Sequence, residues 1–260
     1  MSKAKVKFAG KKILSNIILL SVRLREPGRQ KFICSLCGYH GVFLDNAFND
    51  HKVCHSICPK CLSFERHRLQ KLVFGELEKE YPFSSMSILH VAPEYFFQAE
   101  LKKKFKKYES VDLTMEDVDY HADLCNLPMK NNSYDFLVAS HVLEHIKDDE
   151  KALQEIHRVL TPGGIAILPV PVTVEKTVEY PEVNWNEWGH VRAPGPDYFE
   201  RYRRIFSNCK LYSSNDFPKE HQIYIYEDRT TWPNKKMPYL TPMDGVKHVD
   251  YVPVCLKSPS

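Results

Sequence analysis

Tyr134–Val172 reads YDFLVASHVLEHIKDDEKALQEIHRVLTPGGIAILPVPV. Phe136–Ala139 is a short apolar run, closed by Asp135 on one side and by Ser140 and His141 on the other, which predicts a buried strand. Asp148 and Asp149 are good N-cap residues, and Leu153, Ile156, His157 and Leu160 follow at helical spacing. Thr161-Pro162-Gly163-Gly164 stops that helix, because proline cannot continue it and glycine accepts a left-handed cap. Ile165–Val170 then predicts a second buried strand. Two buried strands joined through a helix make a parallel βαβ unit, so the fold class is α/β.

A different kind of sequence lies upstream. Residues 31–66 hold Cys34-x-x-Cys37 and Cys58-x-x-Cys61, with Gly38 and Pro59 beside the pairs. Two intervening residues let both sulfurs of a pair reach one ion, and a tetrahedral zinc ion takes four such ligands at about 2.3 Å. The intervening twenty residues suit a zinc ribbon with a hairpin between its knuckles. His51, Cys54 and His55 lie close enough in sequence to replace one ligand. Cys125, Cys209 and Cys255 read as isolated, buried small residues.

Length and composition bound the rest. The chain has 260 residues, 43% of them hydrophobic, which fits one large domain plus a small module. A net charge of +3 neither demands nor excludes a nucleic-acid partner. Paired C-x-x-C motifs point to metal in a reducing compartment, hence a cytoplasmic protein. No run reaches the roughly 18 apolar residues of a transmembrane span. Residues 1–30 predict a basic helix: five lysines precede Ile13–Leu20, and Arg23, Arg25 and Arg29 follow. Its readings are packing on the main domain or a partner, which is preferred, or peripheral contact with an anionic membrane.

Ser63 to about Tyr81 predicts a helix with a Leu69, Leu72, Val73, Leu77 stripe, and Arg66, His67 and Arg68 read as a solvated basic turn. Ser87–Ala92 is the natural first strand, Gln98–Lys107 a helix and Glu109–Leu113 the second strand. Phe199, Tyr202 and Phe206 form a helix stripe, Lys210–Asn215 a sixth strand and His248–Leu256 the last. Val174–Trp188 has no clear period, and Phe217–Lys247 is a long insert rich in proline and aromatic residues.

The pattern Asp135-x5-His141-x-Leu143-Glu144-His145, followed by Arg158-Val159-Leu160-x-Pro162-Gly163-Gly164, resembles the fourth- and fifth-strand region of class I S-adenosylmethionine (SAM)-dependent methyltransferases of the type 11 kind. The loop His90-Val91-Ala92-Pro93-Glu94 resembles a subgroup with H-x-A-P-E where the family has an acid and glycines. The resemblance implies a Rossmann-like, doubly wound methyltransferase domain over residues 67–260. A substrate-capping insert is expected around 173–247.

It also implies a cofactor map. His90, Ala92, Pro93 and Glu94 would line the methionine end of SAM, with Glu94 facing the amino group. Asp112, with Leu113, would meet the ribose hydroxyls; its alternative is a strand-end turn cap. Asp123 and the Leu124 backbone would meet adenine; the alternative for Asp123 is an Asx turn. Ser140 and His141 would face the cleft, and the helix start at His145 would close over it. Gly189-His190-Val191-Arg192 and Asp197-Tyr198 continue the subgroup resemblance. His145, His190, Arg192 and Tyr198 are therefore the substrate candidates, and His141 or His190 the candidate base. A structural ion pair with Glu187 or Asp197 is the alternative for His190 and Arg192. The order H-V-L-E-H at 141–145 differs from the zinc-protease order H-E-x-x-H, which argues against a second metal there. The expected activity is methyl transfer to a small-molecule or glycan acceptor. The alternatives are RNA base methylation, because a four-cysteine module precedes this fold in a ribosomal RNA methyltransferase family, and an inactive scaffold.

Overall fold

The structure, a computed structural model, describes residues 28–48 and 51–259, leaving out the side chains of Phe48 and His51. The basic N-terminal helix falls on residues outside that range apart from 28–30. In chain order the strands are β1 (Phe32–Ile33), β2 (His40–Gly41), β3 (Leu44–Phe48), β4 (His51–Ile57), β5 (Ser87–Val91), β6 (Lys107–Asp112), β7 (Tyr120–His121) and β8 (Tyr134–Ala139). They continue with β9 (Leu160–Ile167), β10 (Val178–Asn184), β11 (His190–Ala193), β12 (Asn208–Ser213), β13 (Ile225–Glu227), β14 (Lys247–His248) and β15 (Tyr251–Leu256). The α-helices are α1 (Glu65–Glu80), α2 (Tyr95–Lys104), α3 (Asp149–Val159) and α4 (Phe199–Arg203).

The chain divides into two compact units. The first comprises the described residues up to Phe74 with Ser214–Asp228 and Gly245–Asp250. Its β1–β2 hairpin carries one cysteine knuckle, where Gly38 takes the left-handed conformation (φ +68°) that a side chain would resist. A four-stranded sheet ordered β14-β13-β4-β3 supplies the hairpin expected between the knuckles. It also recruits β13 and β14 from the late insert. The basic turn is a correction: His67 and Arg68 are buried. Arg68 donates to the carbonyls of Ser56, Ser63, His221 and Gln222 at 2.8–3.0 Å, and its guanidinium lies 4.5 Å from the Phe43 ring. A charge can stay buried there because four carbonyl dipoles converge on it.

The second unit holds a seven-stranded sheet ordered β12-β15-β9-β8-β5-β6-β7. β5 to β9 run parallel, while β15 and β12 are antiparallel. Leu89, Val91, Leu137 and Ala139 alternate onto one face of the sheet. They pack there with Ala152, Leu153, Ile156 and Val159, the buried stripe of α3. The Asp148 carboxylate caps α3 by accepting from Lys151 N at 3.1 Å. β9 begins at Leu160, five residues before the sequence predicts. Tyr134 pairs with Leu160 but Phe136 pairs with Ile165, so Thr161–Gly164 bulges out, with Gly163 at φ +75°. The strand ends at Ile167 rather than Val170, because Pro169 and Pro171 cannot donate to a ladder. α2 starts earlier than predicted, and Lys107 already pairs with Ser87 in β6. Cys209 and Cys255 are not isolated: they face each other across β12 and β15 with sulfurs 2.9 Å apart. The insert divides, its middle joining Trp232, Met237 and Leu240 to Val174 and Ala193. Among the described residues no helix is long and apolar enough to cross a membrane.

Candidate functional site

Strand order reverses between β5 and β8, and in an open parallel sheet the ligand crevice lies beyond the carboxyl ends of such strands. Two residues there hold left-handed backbone without being glycine: Ala92 (φ +45°) after β5 and His141 (φ +53°) after β8. Both are pinned. Ala92 N donates to Val111 O and His141 N to Pro169 O, each at 2.9 Å. Strain of this kind persists only where the surroundings enforce it, and it clusters at ligand sites. The Ala92 conformation does what glycine does in related loops, so the missing glycines do not prevent the turn.

Around this crevice the sequence-predicted residues differ in environment. His90 is fully buried in β5; one ring nitrogen, Nδ1, lies 3.1 Å from the Tyr108 hydroxyl, and the other has no hydrogen-bond partner among the described residues. Burial lowers its pKa to about 4, against the opposing charge of Glu94, so the ring is neutral at pH 7. Asp112 sits at the end of β6, and its Oδ1 accepts from Thr114 N and Met115 N at 2.7 Å. The turn cap is thus realised through one oxygen. Leu113 and Met115 are exposed beside it, as is Tyr95 after the first loop. Asp123 is exposed and forms the Asx turn, accepting from Cys125 N at 2.8 Å, while Leu124 is buried in the core. Ser140 is buried and His141 half-buried.

A second group gathers where β11 meets the short 3-10 turn Leu143–His145. Glu144 is buried, with His141 Nδ1 at 3.4 Å and His145 Nε2 at 4.0 Å from its Oε1. The His145 and His190 rings meet edge to face with centroids 4.8 Å apart. Burial raises the Glu144 pKa, but contact with His141 and the fields of His145 and His190 outweigh it and hold the carboxylate below its ordinary range. Burial lowers the pKa of His145. His190 Nδ1 lies 3.6 Å from Glu187, so the expected alternative pairing is present.

Arg192 and Tyr198 stand behind this group, and both are buried. Arg192 donates to the carbonyls of Leu143, Ile146 and Lys147 at 2.6–3.0 Å and pairs with Glu179 at 3.1 Å. The Tyr198 hydroxyl donates to Asp149 at 2.5 Å. Their contacts hold the turn that carries Glu144 and His145. Sequence reasoning missed this clamp because the carbonyls it grips belong to a loop far away in the chain. Asp149, read as an N-cap candidate, instead accepts from Tyr198 and Arg201, a role only the fold reveals.

In the first unit the sulfurs of Cys34, Cys37, Cys58 and Cys61 all lie within 4.8 Å of one another. Cys34 and Cys61 are 3.6 Å apart, Cys37 and Cys58 3.7 Å. A tetrahedral ion with bonds of about 2.3 Å places its sulfurs about 3.8 Å apart, so the donor set fits zinc. Hydrogen bonding among the thiols pulls the Cys34 and Cys61 pKa values down and pushes those of Cys37 and Cys58 up. Cys54 lies on β4, paired with Tyr226, outside the cluster.

Comparison with known proteins gives a match over residues 75–168 to the family described as "Methyltransferase domain". That segment runs through β5, both strained loops, α3 and β9. Demethylmenaquinone methyltransferase of Staphylococcus epidermidis is 36% identical over 66 residues, 25% of each chain. "Probable polyketide synthase 29" of Dictyostelium discoideum is 33% identical over 78 residues, 29% of this chain and 2% of its own. An S-adenosylmethionine-dependent methyltransferase of Mesorhizobium loti aligns in structure at 15% identity, covering 71% of this chain and 97% of its own, with TM-score 0.45. The chain spans about a quarter of the length of the first curated relatives it matches.

Proposed function

We propose that the chain binds SAM at the β5–β8 switch point and methylates a small-molecule acceptor. The observation that carries this is the coincidence of the methyltransferase-domain match with the two strained loops at that point. When bound, SAM supplies an electrophilic methyl on a sulfonium. The chain's residues then have to orient it and exclude water. Asp112, its Oδ1 committed to the turn, offers Oδ2 to the ribose diol. Exposed Leu113 and Met115 offer apolar surface beside it. Asp123 and the Leu124 backbone serve adenine, and the loop Ala92-Pro93-Glu94 with Ser140 faces the methionine end. His90, neutral and buried, braces the first strand.

On the acceptor side His141, His145 and His190 surround the Glu144 carboxylate. His141 is the base if the acceptor is a hydroxyl, and His190 the second candidate. Arg192 and Tyr198 act as positioning residues. The small-molecule reading is supported by demethylmenaquinone methyltransferase, whose name gives a small-molecule acceptor. In the first unit the four cysteines hold a structural zinc ion.

The test is Asp112→Ala. It should abolish binding of S-adenosylhomocysteine and methyl transfer from labelled SAM while zinc stays bound. Normal binding by this variant would overturn the cofactor map.

A further inference from the structure

We propose that Glu144, His145 and His190 bind a divalent transition-metal ion of the zinc, manganese or cobalt kind, and that the acceptor coordinates it through oxygen. The first part stands on geometry alone; the second rests on the methyltransferase reading. One donor atom from each residue lies within 4.8 Å of the others. Donors around a tetrahedral ion with bonds of about 2.1 Å lie about 3.4 Å apart, so side-chain rotation of roughly an ångström closes the site. Glu144 is 1% exposed, and its Oε2 has no hydrogen-bond partner among the described residues. A buried carboxylate oxygen left in that state is costly, and a cation removes the cost.

The surroundings are those of a built site. Glu187 lies 3.6 Å from His190 Nδ1, which leaves Nε2 to the ion. Carboxylate partners of this sort orient metal-binding imidazoles. Arg192 fixes the backbone on either side of Glu144 and His145. Two imidazoles and one carboxylate, without thiolate, favour such ions over calcium or magnesium. Three protein ligands leave positions open, as at metal sites that polarise a substrate. The order H-V-L-E-H differs from the zinc-protease order H-E-x-x-H; the group proposed here does not use that motif, because its third member, His190, comes from another strand.

A hydroxyl held by such an ion would be easier to deprotonate, its proton leaving to solvent. As the new C–O bond forms, the S–CH3 bond of the sulfonium breaks and its electron pair stays on sulfur. The acceptor class is thus a hydroxylated compound able to ligate through that oxygen.

The experiment uses the full chain with its cysteine site loaded with zinc and weaker sites cleared by mild chelation. Co2+ is titrated in, and metal content, the visible spectrum and S-adenosylhomocysteine binding are recorded. One cobalt per chain in addition to the zinc, with no thiolate charge-transfer band, is the expected result. Glu144→Gln and His190→Gln should each weaken cobalt binding by about 100-fold or more while keeping zinc and S-adenosylhomocysteine binding. No cobalt uptake, or equal uptake by both variants, would overturn the proposal. If S-adenosylhomocysteine still binds in that case, the methyltransferase reading survives it. Cobalt uptake without S-adenosylhomocysteine binding would support the metal site and refute that reading instead.

Discussion

Replacing His90 by asparagine should flatten the acid side of the second unit's stability curve. The native ring is fully buried and titrates at about 4, against an ordinary 6.5 in the unfolded chain. Below pH 6.5 the unfolded state therefore binds a proton that the folded state refuses. Stability from the neutral ring is fully present above pH 6.5 and is lost as pH falls towards 4. The gap corresponds to about 3 kcal/mol, of which about 2 kcal/mol is gone by pH 5. Asparagine keeps a polar group near the Tyr108 hydroxyl but cannot titrate. Urea unfolding followed by tryptophan fluorescence reads this unit, because Trp185, Trp188 and Trp232 all belong to it. The variant should be less stable than the native protein at pH 7.5, and the difference should shrink by about 2 kcal/mol at pH 5. A difference that stays constant over this range would refute the assignment of a neutral, buried His90.

Other predictions concern both units. Cys34→Ser should eliminate tightly held zinc, as read by metal analysis after mild chelation, because three thiolates bind far less tightly than four. Arg68→Met removes hydrogen bonds to four carbonyls, of which that of Ser63 keeps its bond from Cys58 N, and should destabilise the first unit by about 1–3 kcal/mol, measured as faster zinc release to a chromogenic chelator. An unchanged release rate would contradict the clamp. Arg192→Gln should raise KM for the acceptor and lower thermal stability, with S-adenosylhomocysteine affinity retained. Loss of cofactor affinity alone would contradict a role confined to the turn at Glu144.

The sequence displays what local pattern controls. The βαβ unit is legible because strand, cap, helix stripe and breaker residues all agree from Tyr134 to Ile167. The four-cysteine cluster is legible because two C-x-x-C pairs fix their own geometry. The rest depends on partners remote in the chain. β13 and β14 have three and two residues, too few to show a period; β13 is set by its pairing with β4, and β14 by its pairing with β13. Arg68 reads as a solvated cation and Arg192 as a substrate contact until the fold brings carbonyls round them. Cys209 and Cys255 meet only through the register of β12 on β15. Ala92 carries no outward sign of a left-handed conformation, since glycine is the usual signal for it. The Glu144, His145 and His190 group is half visible, as two neighbours whose third member lies on β11.

The central claim is a working SAM site in a chain whose first loop has no glycine. Calorimetric titration of the zinc-loaded protein with S-adenosylhomocysteine tests it most directly. We predict saturable binding of one molecule per chain in the micromolar range. A folded, zinc-loaded protein that gives no binding heat and no protection against thermal unfolding would contradict the claim and favour a scaffold that has lost its cofactor.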